Sequence, residues 1–151
     1  MKKVFIWVWV CFSFLSVASA FCQNSPGGST KSGTLTVLID WFNSDKGTAR
    51  IALCNSIEGY KNDDRAFRRE AVRISDRKAE WVSKDLPFGE YAIKVFHDEN
   101  GNNKLDKNLL GAPAEAYGFS NNARATFGPP DYKKAAFQFD KTDMTVRITV
   151  Q

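Results

Sequence analysis

The residues best suited to chemistry lie in one short polar stretch, 98–106, which follows an alternating apolar run. Oxygen-bearing side chains occur at positions 1, 3, 5 and 9 of this stretch, and they are Asp98, Asn100, Asn102 and Asp106. Lys104, at position 7, could add its backbone carbonyl, as the corresponding residue of an EF-hand loop does. Because such oxygens are the ligands that Ca²⁺ prefers, the stretch predicts a weak calcium loop, with Kd of about 10⁻⁴–10⁻³ M.

The closing ligand of this predicted loop is missing from its usual place. An EF-hand loop ends with a bidentate Glu at position 12, where this chain has Leu109. A carboxylate would have to come from elsewhere in the chain, and Glu115, Asp85 and Glu90 are the candidates. The alternative is a plain turn without metal, because the Asn-Gly pair at 100–101 favours tight turns for conformational reasons alone. Zinc is not indicated, since the single His and the distant cysteines form no ligand cluster.

A second unusual stretch covers residues 117–130, where aromatic residues, glycines and Asn residues occur together. This composition favours an ordered loop packed over one end of the fold, and such loops are frequent binding surfaces. We predict that it contacts an extracytoplasmic ligand or partner protein through five side chains, namely Tyr117, Phe119, Asn121, Asn122 and Arg124. The alternative is that its aromatic side chains only close the end of the core.

The sequence contains no complete catalytic set, and we predict no catalytic residue. A hydrolase using His97 is an alternative, because Asp98 adjoins this only histidine and Ser120 lies in the second stretch. No nucleophile-elbow pattern surrounds Ser120, however. We therefore expect His97 to be structural and to donate a hydrogen bond to a backbone carbonyl.

Carbohydrate binding through exposed aromatic rings is a further alternative. The candidate platforms are Trp41, Trp81, Tyr117 and Phe119. Trp41 falls on the alternating apolar face of its predicted strand, so we expect it in the core rather than at a sugar site.

The elements that must position these residues are short strands. They are predicted at 34–41, 48–54, 71–75, 79–83, 90–96, 135–139 and 145–150. The first two flank the polar turn 43–47 and predict a β-hairpin, while 63–70 predicts one short helical segment. About seven short strands without a sustained helical period predict an all-β, immunoglobulin-like or transthyretin-like sandwich with one long ordered loop region.

The N-terminal residues indicate an export signal rather than part of this sandwich. Lys2 and Lys3 precede an uncharged apolar run over 4–17, and small residues at 18–20 suit a cleavage site. The run is shorter than the roughly 20 residues that span a bilayer. We therefore expect a signal peptide at 1–20, a Gly- and Ser-rich tether at 21–33 and one β-sandwich domain at 34–151. The exported protein would be periplasmic, at the cell surface or secreted, with no membrane span.

The net charge limits the classes of partner to expect, and the cysteines limit the possible covalent links. Without Lys2 and Lys3 the formal net charge of +4 becomes +2, which does not indicate nucleic acid or an anionic membrane surface. A bridge between Cys22 and Cys54 is allowed in an exported protein, but we expect Cys54 to be a small buried apolar residue. Acylation of Cys22 is not expected, because Phe21 precedes it instead of a small residue.

Four segments carry a resemblance to a known family. They are LPFGEYA at 86–92, FHDENGN at 96–102, GFSNNAR at 118–124 and FGPP at 127–130. These segments resemble the family called domain of unknown function 2141, whose members are exported bacterial proteins with a single β-domain, and the resemblance covers about residues 34–150. It implies a periplasmic or surface-associated β-domain and offers no activity. The polar loop alone also resembles the calcium loops of bacterial surface-adhesin β-modules, but lacks their closing acid.

Overall fold

The computed structural model describes residues 31–151, so the predictions for the signal peptide and for Cys22 lie outside the described residues. Alternating apolar residues form eight strands, each with one face toward a core. The strands are β1 (Ser32–Asp40), β2 (Thr48–Cys54), β3 (Arg68–Arg73), β4 (Lys78–Pro87), β5 (Gly89–Asp98), β6 (Tyr117–Phe119), β7 (Phe137–Phe139) and β8 (Asp143–Thr149). Two short helices, α1 (Ile57–Lys61) and α2 (Tyr132–Ala135), lie between them.

The strands form two sheets, which confirms the predicted all-β sandwich. The smaller sheet has the order β4-β1-β8, in which β1 and β8 are parallel. The larger sheet has the order β3-β2-β5-β6 with antiparallel pairs, and β7 pairs with the first residues of β5. The core lies between the sheets and includes Leu35, Val37, Ile39, Ile51, Leu53, Ile93 and Ile148.

The predicted hairpin between the first two strands is wrong, because β1 and β2 belong to different sheets. The chain leaves β1 through Trp41, whose φ of 73° turns its side chain out to 74% exposure and places Phe42 in the core. The expectation that Trp41 is buried is therefore also wrong. Gly47 then passes so close to the backbone of Asp98 that a Cβ atom there would overlap with it. The segment 41–47 thus carries the chain from one sheet to the other.

A second apolar cluster covers part of the outer face of the larger sheet. Its strand residues Ala52, Cys54 and Ala92 lie beneath the rings of Tyr60, Phe119 and Tyr132. Cys54 is fully buried, as expected, it forms no disulfide within residues 31–151, and burial raises its pKa to about 11. The predicted helix over 63–70 is wrong, since helix α1 ends at Lys61, only a 3-10 turn follows at Asp63–Arg65, and β3 begins at Arg68.

Candidate metal site and adjoining cavity

The polar loop begins at the last residue of β5, Asp98, whose side chain is fully buried. Its Oδ2 atom accepts hydrogen bonds from Arg50 Nε on β2 and from the backbone N–H of Asn103, both at 3.1 Å. Its Oδ1 atom has no hydrogen-bond partner among residues 31–151. A buried carboxylate oxygen without a donor is costly, and a cation bound beside it would remove that cost.

The other predicted ligands lie together around Asp106. The Nδ2 atoms of Asn100 and Asn102 donate to the two carboxylate oxygens of Asp106, at 2.6 and 2.9 Å. Their Oδ1 atoms accept from backbone N–H groups two residues further along the loop. Asn103 adopts the left-handed conformation, with φ of 64°, at the position where an EF-hand loop turns sharply. The loop therefore brings Asn100, Asn102 and Asp106 together, while Asp98 contacts the loop at Asn103.

Of the three candidate closing acids, the structure brings Glu115 to the loop. Its two carboxylate oxygens accept from the backbone N–H groups of Glu99, at 3.1 Å, and Asp106, at 3.0 Å. Glu90 lies at the opposite end of β5, paired with Gln138, and Asp85 lies on β4. Glu115 thus joins the start and the end of the loop.

The donor set suits a hard cation. In the described part of the chain, no three His, Cys, Asp or Glu side chains form a group that could hold a metal ion. A metal at the loop would therefore use amide and backbone oxygens, including the carbonyl of Lys104, together with the carboxylates of Asp98 and Asp106. That mixture suits Ca²⁺ and not Zn²⁺. The ion pair with Arg50 offsets part of the charge of Asp98, which is consistent with weak binding.

His97 and Ser120 do not form a catalytic pair. The fully buried His97 places Nε2 2.7 Å from the carbonyl oxygen of Lys46, in agreement with the expected structural role. Ser120 is also buried, and its Oγ accepts from Ile93 N–H and donates to the carbonyl of Ala135. Ser120 bonds to β5 at Ile93, which lies four residues before His97, roughly 13 Å along the strand.

The predicted ligand-binding residues occupy three different environments. Tyr117 and Phe119 belong to the short strand β6, where the composition predicts an ordered loop, and both line a cavity of about 470 Å³. The amides of Asn121 and Asn122 instead bond to backbone groups of α2 and β8. Arg124 is exposed beside a narrow crevice that Tyr117 also lines. Their joint role in ligand binding stays a prediction.

Sequence reasoning missed other residues of this cavity. Lys94 and Phe96 face outward from β5 and line it together with Lys104 and Leu105 of the loop. A neighbouring cavity of about 610 Å³ shares Lys94 and Phe96 and adds Arg50. The alternation along β5 indicates that Lys94 and Phe96 share the outer face of the sheet. It does not indicate that this part of the face stays uncovered between the loop and the second cluster.

The proposed carbohydrate platforms are not assembled in one place. Trp81 is 9% exposed and belongs to the core between the sheets. Phe119 is also buried and packs near Tyr60 in the second cluster. Trp41 is exposed but lines a different shallow cavity with Arg77.

Comparison with known proteins gives one match. A family model described as "Uncharacterized protein conserved in bacteria (DUF2141)" matches residues 37–147. No curated protein and no solved structure matches the chain. The matched range runs from β1 to β8 and contains both the loop and the cavity. Within residues 31–151, no helix has the length and apolar character needed to cross a membrane.

Proposed function

We propose a function for this chain, which belongs to the DUF2141 family of uncharacterized bacterial proteins. In this proposal the chain is an exported, non-catalytic binding module in which loop 98–106 binds Ca²⁺ and the adjoining cavity receives a ligand. Export is supported by the basic, apolar and small residues of 1–20. The absence of a nucleophile and base in hydrogen-bond contact at His97 and Ser120 supports a binding role.

The metal part of this proposal rests on the Oδ1 atom of Asp98, which is buried and has no hydrogen-bond partner within 31–151. The same carboxylate contacts the loop at Asn103, so the free oxygen lies where the loop closes over the end of β5. At Asp106, two amide N–H donors now offset the carboxylate charge, and a bound cation takes over that role. Ca²⁺ fits better than Mg²⁺, because it accepts irregular sets of six to eight oxygens whereas Mg²⁺ demands a strict octahedron.

Glu115 supplies a further carboxylate at the same loop. Its present bonds to Glu99 and Asp106 hold the two ends of the loop together, and a shift of one oxygen toward the metal would provide the ligand that position 12 lacks. The closing acid then comes from six residues beyond Leu109, after the turn at 108–112.

Thermal unfolding with and without Ca²⁺ tests the metal part. A ligand that binds only the folded state stabilises it by about 1.4 kcal/mol at tenfold excess over Kd, so millimolar Ca²⁺ should raise Tm by roughly 5 °C. Asp106→Asn keeps the shape of the side chain and removes its charge, and it should abolish most of this rise. Mg²⁺ should give a smaller rise than Ca²⁺.

Asp143→Asn is the matched control, because Asp143 is an exposed residue of β8 outside the loop. It should keep the full calcium response. Equal melting of the wild type with and without Ca²⁺ would show that the loop is only a turn, and an unchanged response in Asp106→Asn would place the metal elsewhere.

A further inference from the structure

A small apolar hairpin projects from the protein directly after the loop. Residues 107–113 form it, with a bridge between Lys107 and Pro113 at its base and Leu109 and Leu110 at its tip. The exposed fractions of the two leucines are 106% and 92%. Asn108 fixes the tip, because its Oδ1 atom accepts from the backbone N–H groups of Leu110 and Ala112, at 2.9 and 3.1 Å. The leucines are therefore held in solvent by an ordered turn.

A second exposed turn with an apolar residue reaches the cavity of about 470 Å³ that Gly111 and Pro113 of this hairpin line. Phe127 is 92% exposed and precedes Gly128, which turns the chain with a φ of 66°. Gly128 and Gly111, the neighbours of Phe127 and Leu110, line the same cavity of about 470 Å³. Leu109, Leu110 and Phe127 are thus exposed on the two turns that reach this cavity, and we call these three residues the apolar rim.

Two cations accompany the apolar rim. Lys104 and Lys107 line the same cavity, and neither forms an ion pair within residues 31–151. The near-neutral net charge of the expected exported chain gives no overall attraction to an anionic surface, so any attraction is local to these lysines.

We propose that the apolar rim docks on a lipid surface that carries anionic headgroups. Protruding apolar side chains insert among lipids without a complementary pocket, while neighbouring lysines are attracted to the charged headgroups. The docking is peripheral, and it leaves the cavity between the two turns facing the lipid. The inference rests on the proposed function only in treating the chain as an exported binding module, and it does not require the metal.

Vesicle cosedimentation in a chelator tests this inference. The protein is recovered after export and processing, because the apolar run 4–17 would itself bind lipid. The wild type should bind phosphatidylcholine vesicles that contain roughly 30% phosphatidylglycerol and bind pure phosphatidylcholine vesicles more weakly. Leu109→Ser with Leu110→Ser should weaken binding to the anionic vesicles by roughly tenfold or more.

Val82→Ser is the matched control, since Val82 is a 42% exposed apolar residue of β4 outside the rim. It should bind like the wild type. Absence of wild-type binding, equal binding to neutral vesicles, or unchanged binding by the double leucine variant would each overturn the inference. The calcium response of Tm is measured separately, so loss of vesicle binding with an intact calcium response removes only the lipid proposal, and the converse result removes only the metal proposal.

Discussion

At the scale of single residues, Asp98 connects the loop to the sheet because its two carboxylate oxygens have different surroundings. Oδ2 is held by Arg50 of β2 and by the backbone of Asn103, while Oδ1 is buried and has no donor in the described part of the chain. If the carboxylate had a purely structural role, a buried oxygen without a hydrogen bond would only lower the stability of the fold. In a metal site the same oxygen is a preformed ligand, fixed in place by the bonds of its neighbour.

Ser120 illustrates a polar residue with a structural role. Its hydroxyl satisfies the N–H group of Ile93 on β5 and the carbonyl of Ala135 on α2 in a fully buried position. Ser120→Ala should leave that N–H group unsatisfied and lower the free energy of unfolding by about 1–3 kcal/mol.

Urea denaturation measures the loss at Ser120, with Ser32→Ala as the control because Ser32 is exposed on β1. The control should change stability by less than about 0.5 kcal/mol. If Ser120→Ala changed the stability as little as the control does, the hydroxyl would not hold β5 and α2 together.

At the scale of elements, β6 positions the cavity wall by lying unusually close to β8. Gly118 makes this approach possible, since a Cβ atom there would lie 2.8 Å from Ile148 Cγ2 and 3.0 Å from the carbonyl oxygen of Thr149. Its neighbours Tyr117 and Phe119 then face outward, toward the cavity. The glycine therefore determines where both rings stand.

Gly118→Ala should consequently destabilise the fold by about 1–3 kcal/mol through overpacking. Gly89→Ala is the matched control, because a Cβ atom there would meet only ordinary contacts, the nearest at 3.6 Å. Urea midpoints at constant m-value report both changes. If Gly118→Ala left the free energy of unfolding unchanged, β6 and β8 could move apart without a loss of stability.

The elements that could be predicted from sequence are those whose signal is local. Alternation along β5 and the oxygen spacing of 98–106 depend only on neighbouring residues, so both were recognisable. The assignment of β1 and β2 to different sheets could not be predicted, because a polar turn at 43–47 suits a hairpin and a crossover between sheets equally well. The turn at Trp41, which decides between them, depends on Phe42 entering the core.

The same limit applies to the candidate site. Glu115 could be named as one of three acids, but its contact with Asp106 depends on how 107–114 folds back. Phe96 faces the cavity because the second cluster covers only part of the outer face of the larger sheet, which no local pattern records.

At the scale of the whole molecule, one end of the sandwich carries the distinctive features. The connection 41–47 lies beside the end of β5, and the polar loop 98–106, the hairpin 107–113 and the cavity lie at the same end. The two sheets and their shared core provide a rigid base for these segments, whose residues are largely exposed. This division between a packed base and an exposed end is typical of binding modules built on sandwiches.

A crystal structure of the protein grown with millimolar Ca²⁺ tests the central claim most directly. We expect one ion, identified by its anomalous scattering, at about 2.3–2.6 Å from Asp98 Oδ1 and from oxygens of Asp106 and the loop amides. The side-chain nitrogens of Asn100 and Asn102 should then no longer donate to Asp106. A loop that keeps those two hydrogen bonds, with Oδ1 of Asp98 still unpartnered and no ion beside it, would contradict the assignment of a calcium site.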